Sequence, residues 1–424
     1  MKSLARRLPF HYGWIAAGVV FLILLTGAGM RATPGVFIVP LETEFGWSRA
    51  TVSLAIAINI ILYGLTGPFA AALMQRIGIR KTAIYALALL SVATGLSSMM
   101  THVWELMLLW GVVVGLGCGS IALTMGTLMV NRWFDKNRGL VTGLFSASMA
   151  TGQLIFLPTL ATAAEAGGFK PVVWIVSAAA ACMIPVIFFL LPERPKDLGL
   201  LPYGRTVDDG VVQPQMNPIT AAFGVLGRAS GSKDFWLLFG TFFVCGASTN
   251  GLIGTHLIAA CIDNGIPEIR AASLLVAIGL CDLVGTTFSG WLSDRVDNRI
   301  LLFWYYGLRG LSLFLLPYTD FTLAGLTVFA VFYGLDWVAT VPPTVRLTND
   351  LFGKQDAPIL FGWILAGHQL GGGAIAFLAG LMRTNFGTYG SSFILSAILC
   401  MVAAIASLWI GRSWRGRKLV PSAA

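Results

Sequence analysis

Four ionisable side chains stand deep inside apolar sequence: Arg31 in GAGMRATPGVF, Asp282 in LLVAIGLCDLVGTT, Arg309 in YYGLRGLSLF and Asp336 in GLDWVATVPPT. Each could do chemistry. A guanidinium is a permanent positive charge with a planar fork that grips a carboxylate. A carboxyl taken out of water can hold a proton. Arg31 follows the small residues Gly27, Ala28 and Gly29, which leave room for a ligand, and Pro34-Gly35 can loosen the helix beyond it. His368 and Gln369, in LAGHQLGGG, add an imidazole that binds a carboxylate when protonated, and an amide. His256 with Asn250, and Asn59 with Tyr63 one helical turn on, are further polar candidates for a cavity wall. Plainer accounts stand beside these. Arg31 could snorkel to an interface, Asp282 could sit in a permanent ion pair, and the histidines could be hydrogen-bonded packing residues. Arg309 is expected to be structural, neutralising Asp336 or Asp282.

These residues interrupt sequence of a particular kind. The 424 residues are 56% hydrophobic and 11% charged, against about 25% charged in an ordinary soluble domain. The net charge is +9, but the charges fall between long apolar runs. That leaves no basic face for a polynucleotide, so no nucleic-acid partner is expected. The six cysteines lie scattered inside apolar runs without metal-ligand or CxxC spacing, and the four histidines form no HxxxH pair. Neither a metal nor another cofactor is expected. GVVVGLGCGS at 111–120 contains GxGxG, but without a strand–turn–helix context its small residues serve close helix packing. No nucleophile–base arrangement is visible, so catalysis is not expected.

Twelve apolar runs can be counted: 12–39, 51–74, 82–101, 104–131, 139–165, 171–192, 235–262, 269–292, 299–318, 321–348, 357–383 and 388–411. Each suits a helix crossing the bilayer, which takes about 20 apolar residues. Backbone groups in lipid must be satisfied within the segment, so helices are the structures that fit. The first run follows Lys2, Arg6 and Arg7, as in a signal peptide, but it is too long for one and reads as a retained span. Residues 193–234 are polar and rich in Pro, Gly and Asp, as linkers are. The expected organisation is an all-α membrane protein: an N-terminal six-helix bundle (1–192), a cytoplasmic linker (193–234) and a C-terminal six-helix bundle (235–424). With both termini cytoplasmic, 22 of the 28 Lys and Arg fall on the inner side. Four, Arg49, Lys170, Arg270 and Arg383, fall outside. This positive-inside bias orients the chain in the cell (inner) membrane.

The halves repeat one another. AALMQRIGIR at 71–80 aligns with GWLSDRVDNR at 290–299, an offset of 219. The same offset brings Gly115 onto Gly334, Gly143 onto Gly362 and Gly152 onto Gly371. Such a repeat points to a transporter with its site between the halves, near the midplane.

GWLSDRVDNR resembles the loop motif of the major facilitator superfamily, through Gly290, Asp294, Arg295 and Arg299. The first half keeps Arg76, Gly78 and Arg80 but has Ala71 and Gln75 for the Gly and Asp. The resemblance implies a gating role for this motif, with a weaker network in the first half. Within the superfamily the chain resembles the monocarboxylate transporters and the oxalate/formate antiporters. HYGW at 11–14 resembles their first-span signature without its acidic residue, and WFDKNRGLVTGLFSA at 133–147 resembles their fifth-span signature. Asp282 stands where the monocarboxylate transporters place a functional Asp, although Thr286 replaces the Arg they carry four residues later. Arg31 falls within about one position of their substrate-binding Lys. His368 lies on the span where the antiporters place a Lys on substrate. The fold implied is twelve helices in two pseudo-symmetric bundles, with spans 1, 2, 4, 5, 7, 8, 10 and 11 around the cavity.

The expected function is secondary active transport of a small organic anion, a mono- or dicarboxylate, by alternating access. Arg31 and His368 would hold the anion from opposite halves. Asp282 or Asp336 would couple a proton, or a counter-substrate would exchange. The alternative is a proton-driven exporter of an apolar or cationic compound. The partners expected are the substrate, a proton or counter-substrate, and the bilayer, with the chain a monomer.

Overall fold

The computed structural model describes residues 9–205 and 218–412. The basic N-terminal Lys2, Arg6 and Arg7, the middle of the linker, and the C-terminal basic cluster from Arg415 lie outside the described residues. So do the side chains of Ala71 and Gln75. The first six helices are α1 (Gly13–Phe45), α2 (Arg49–Ile77), α3 (Ile79–Ser97), α4 (Val103–Trp133), α5 (Arg138–Gly167) and α6 (Phe169–Leu190). A short helix, α7 (Pro218–Ala229), ends the linker. Then follow α8 (Lys233–Asp263), α9 (Glu268–Ser293), α10 (Asn298–Leu315), α11 (Leu323–Leu335), α12 (Val341–Phe386) and α13 (Gly390–Ser407). Among the described residues, ten helical segments are long and apolar enough to cross a membrane.

Two expected spans are not continuous. The run 104–131 is broken at Ile121 and Ala122, within α4, where Ala122 is extended at φ −73° and ψ −174°. The run 321–348 is broken at 336–340, between α11 and α12. Pro342 and Pro343 lie in the first turn of α12, where a missing N–H costs no hydrogen bond. α12 then passes through Gly353, at φ 78° and ψ 156°, before its long apolar stretch Asp356–Phe386. Only glycine adopts that backbone conformation without strain. By contrast α1 runs unbroken through Pro34 and Pro40.

The packing repeats as the sequence does. In the first set of helices α1 packs on α5, α2 on α4, and α3 on α6. In the second, α8 packs on α12, α9 on α11, and α10 on α13. The glycines at the 219 offset sit at matching contacts. A Cβ on Gly115 would lie 2.9 Å from the Asn59 carbonyl oxygen, and one on Gly334 would lie 2.7 Å from that of Ile278. Gly152 and Gly371 likewise press on the Leu25 and Phe243 carbonyls. Gly143 and Gly362 face open space.

The two sets meet where α2 lies along α12, α5 along α9 and α1 along α8. Small residues permit the α2–α12 approach: a Cβ on Gly373 would sit 2.9 Å from the Ala57 carbonyl oxygen, and one on Gly380 3.0 Å from that of Arg49. At this end Arg49, only 4% exposed, ties the sets together. It donates to Glu42 of α1, to both oxygens of Asp263 on α8 (3.1 and 3.2 Å) and to the Tyr389 hydroxyl (3.1 Å). Arg383 donates to the same Asp263 at 2.7 Å. The Ala50 N–H donates to the Thr384 hydroxyl, and the Ile269 N–H to Glu165. We call this the clamped end.

Candidate functional site

Arg31, half-buried in α1, lies against Tyr63 of α2. Its Nη1 donates to the Tyr63 hydroxyl at 3.2 Å, and its guanidinium carbon sits 4.3 Å from the ring centroid. A cation held over an aromatic face is stabilised without losing its charge. Among the described residues no carboxylate forms an ion pair with Arg31. A cavity of about 10 Å³, lined by Arg31, Tyr63, Gly27, Ala28, Cys118 and Ile121, opens beside it. That is room for roughly one water molecule.

Across the seam, Gln369 of α12 is packed against α2: a Cβ on Gly64 would lie 2.5 Å from the Gln369 Cβ. Its Oε1 is buried and without a partner among the described residues, as is Nδ1 of His368. Such orphaned buried polar atoms mark a place where another group is wanted. The His368 ring packs on Phe242, 4.9 Å between centroids. Asn250 stands at the repeat position of Arg31, on the π-helical turn Ala247–Ile253 of α8. It is half-buried, and its side-chain amide makes no hydrogen bond to another described residue.

Two expected cavity residues are engaged elsewhere. Asn59, only 7% exposed, donates from Nδ2 to the Trp110 carbonyl at 2.6 Å. Trp110 lies in the π-helical turn Met107–Val113 of α4, so Asn59 fastens α2 to that turn and leaves Tyr63 alone at the cavity. His256 is fully buried at the clamped end. Its Nε2 meets the Ala376 carbonyl at 2.8 Å, and its Nδ1 meets the Tyr389 hydroxyl at 3.0 Å. A carbonyl only accepts, so Nε2 carries the proton and Nδ1 accepts from Tyr389. Tyr389 in turn accepts from Arg49, and His256 has nothing left for a ligand.

The buried charges resolve into one pair and one singleton. Arg309, on α10, donates from Nε to Asp336 Oδ2 at 2.8 Å, from Nη2 to the Asp336 and Trp337 carbonyls, and from Nη1 to Cys245 at 3.1 Å. It therefore satisfies carbonyls freed where α11 stops and pairs with one oxygen of Asp336, while the other oxygen, Oδ1, is buried without a partner among the described residues. Asp282 forms no ion pair among the described residues. Its Oδ1 accepts from the Thr286 hydroxyl at 2.7 Å and from the Val338 N–H at 2.9 Å. Thr286, the residue that replaces the family's Arg, is thus a hydrogen-bond partner of the carboxylate. Asp282 also stands at the repeat position of Tyr63.

At the opposite end from the clamp lie the two motif loops. Asp294 pairs with Arg346 of α12 at 2.8 Å. Arg295 instead lies 4.2 Å over the Trp291 ring, Arg299 pairs with Asp297 at 2.6 Å, and Gly290 faces open space. In the first set Arg76 is exposed, and Arg80 reaches the Phe188 carbonyl at 2.5 Å. The carboxylate there is Glu193, just past α6. It pairs with Arg132 at 2.5 Å and accepts the first N–H groups of α3, from Ile79 (2.6 Å) and Arg80 (3.0 Å). Gly78, at φ 103°, sits beneath it, and a Cβ there would lie 2.5 Å from a Glu193 oxygen. Sequence reading missed Glu193, Arg132, Arg346 and the clamp. Their signal was faint: charged residues at span ends, which topology alone already explains.

The profile of the Major Facilitator Superfamily matches residues 19–345 and 257–423. The chain belongs to this superfamily. It is 26% identical over 403 residues to monocarboxylate transporter 13 of Rattus norvegicus, covering 93% of this chain and 87% of that one. It is 23% identical over 416 residues to the oxalate:formate antiporter of Oxalobacter formigenes, covering 95% and 92%. Its fold is similar to that of a bacterial homologue of the human lysosomal transporter Spinster in an inward-facing, unoccupied conformation. There the TM-score is 0.75 at 16% identity, covering 97% of this chain and 99% of that one. As a superfamily member the chain is an integral multi-pass membrane protein and a secondary active transporter of a small molecule. It moves its cargo by alternating access and carries out no catalysis.

Proposed function

We propose that the cargo is a small organic anion, a mono- or dicarboxylate, taken by proton symport or by exchange. The observation that carries this reading is Arg31: a guanidinium within a membrane helix that no described carboxylate neutralises. The other intramembrane arginine, Arg309, has Asp336. An unpaired charge at that depth is expensive, and an anionic substrate would supply the missing partner. Tyr63 holds the guanidinium in place, while Asn250, His368 and Gln369 offer polar atoms from the second set of helices. Asp282, which forms no ion pair among the described residues, is the group we assign to carry a proton, ahead of Asp336, one oxygen of which is held by Arg309. The names of two relatives, a monocarboxylate transporter and an oxalate:formate antiporter, agree with the carboxylate class.

In this reading twelve spans form two six-helix bundles, 1–192 and 235–424, joined by a cytoplasmic linker. The broken stretch from Leu323 to Phe352 is one span, and α5 is another. Both termini lie inside, and the clamp closes the outer face. The cavity beside Arg31 widens as the bundles rock. The test is uptake of labelled mono- and dicarboxylates into proteoliposomes. Arg31→Ala should lower uptake by roughly tenfold or more, as expected for loss of charge-assisted hydrogen bonds. Unchanged uptake by that variant would remove the anchor.

One observation favours a second reading. Among the described residues Asp282 meets a hydroxyl and a backbone N–H but no cation, which leaves it able to face a cationic cargo in an exporter. Thermal stabilisation by organic cations but not by carboxylates, abolished in Asp282→Asn, would select that reading.

A further inference from the structure

At the clamped end, away from Arg31, lies a larger cavity of about 350 Å³. That volume falls at the lower end of the range for small-molecule sites. Both sets of helices build it: Val39, Pro40 and Thr43 from the last turns of α1, and Ile262, Ile266 and Glu268 from the α8–α9 corner. The walls are mostly apolar. Glu268 is the exception that calls for a ligand. It is 8% exposed, and its Oε1 is buried without a hydrogen-bond partner among the described residues.

The neighbouring carboxylates are already engaged. Glu44, also on the lining, pairs with Lys170 at 3.5 Å. Glu165 accepts the Ile269 N–H at 3.0 Å. Asp263 is held by Arg49 and Arg383. Arg270, two residues from Glu268, is exposed and forms no ion pair among the described residues. A buried carboxylate oxygen without a partner is costly. A group with an N–H donor and a positive charge would satisfy it, and an apolar body would cover the walls. A carboxylate cargo could not do so, because Glu268, Glu44 and Glu165 repel it.

We propose that this cavity is a binding site for a small organic ammonium ion with an apolar body, distinct from the transport site. Because both sets of helices line it, an occupant holds them together at the clamped end. The ligand therefore acts on the transport cycle by favouring the clamped conformation, and it is not cargo.

The test is calorimetric titration of the purified full-length transporter with n-hexylammonium, with hexan-1-ol and hexanoate as controls. Saturable binding of the amine is expected in the wild type and in both Arg31→Ala and Asp282→Asn. Glu268→Gln should weaken it by roughly tenfold or more, the size of a lost charge-assisted hydrogen bond. Ile266→Trp, which fills the cavity but keeps the carboxylate, should also weaken it, and it serves if the Gln variant does not fold. Absence of saturable binding, equal binding by hexan-1-ol, or undiminished binding in these two variants would overturn the proposal. So would loss of binding in Arg31→Ala or Asp282→Asn, which would place the amine in the transport pathway.

Discussion

At the scale of single residues, four intramembrane charges divide by what they touch. Arg309 pairs with one oxygen of Asp336 and holds the carbonyls of a helix break, while Asp336 Oδ1 is buried without a partner among the described residues. Removing one partner should therefore damage the fold itself. Asp336→Asn leaves a buried guanidinium uncompensated, with an expected cost of roughly 3–5 kcal/mol. Replacing both partners together, Arg309→Met with Asp336→Leu, should recover part of it, since an apolar pair carries no desolvation penalty although the Asp336 and Trp337 carbonyls still lose their donor. Thermal unfolding of the purified variants distinguishes the two outcomes; equal losses would show that the pair is not coupled. Arg31 and Asp282 should behave oppositely, altering transport with little change in stability. Arg31 was legible in the sequence because an arginine among small apolar residues has few explanations. Asn59 and His256 were not. Helical spacing tells which residues share a face, but not which neighbour that face meets. A π-helical carbonyl took Asn59, and a tyrosine 133 residues away took His256.

At the scale of elements, helix lengths and the 219-residue repeat could be read directly, because membrane thickness and backbone satisfaction leave few alternatives. Where one span ends and the next begins could not. The stop at Asp336 depends on Arg309 from another helix, and the join of α11 and α12 to the following stretch depends on the conformation of Gly353. The two motif loops show the same limit. They align in sequence, yet the first uses Glu193 and Arg132 where the second uses Asp294 and Arg346. Their glycines differ as well. Gly78 has φ 103° and a carboxylate against it, whereas Gly290 has open space around it. Gly78→Ala should cost roughly 1–3 kcal/mol from backbone strain, before any displacement of Glu193. Gly290→Ala should be close to neutral. Parallel melting curves check this, and equal losses would mean that the positive φ carries no penalty in the membrane.

For the whole molecule, the question is what holds one conformation against the other. The clamp concentrates that burden on Arg49. It joins α2 to α1 and α8, and through Tyr389 it reaches His256 and the backbone of α12. These groups lie on both sides of the seam, so the network can exist only when the two sets of helices are together at that end. A ligand or contact shifts a conformational equilibrium only by its difference between the states. Losing a buried charge pair of roughly 3 kcal/mol would move the balance by about a hundredfold toward the state open at that end. The neighbouring glycine contacts along α2 and α12 are close in themselves but carry no charge, so they should slide without resisting separation as strongly. Arg49→Ala should accordingly lengthen the distance between spin labels at exposed Ser48 and Thr388, in a background without the native cysteines. Arg49→Lys should lie between that variant and the parent, because it keeps the charge but loses the fork that reaches Glu42 and Asp263 together. An Arg49→Ala distance distribution that matches the parent would show that backbone packing along the seam, rather than the ion network, sets the resting state.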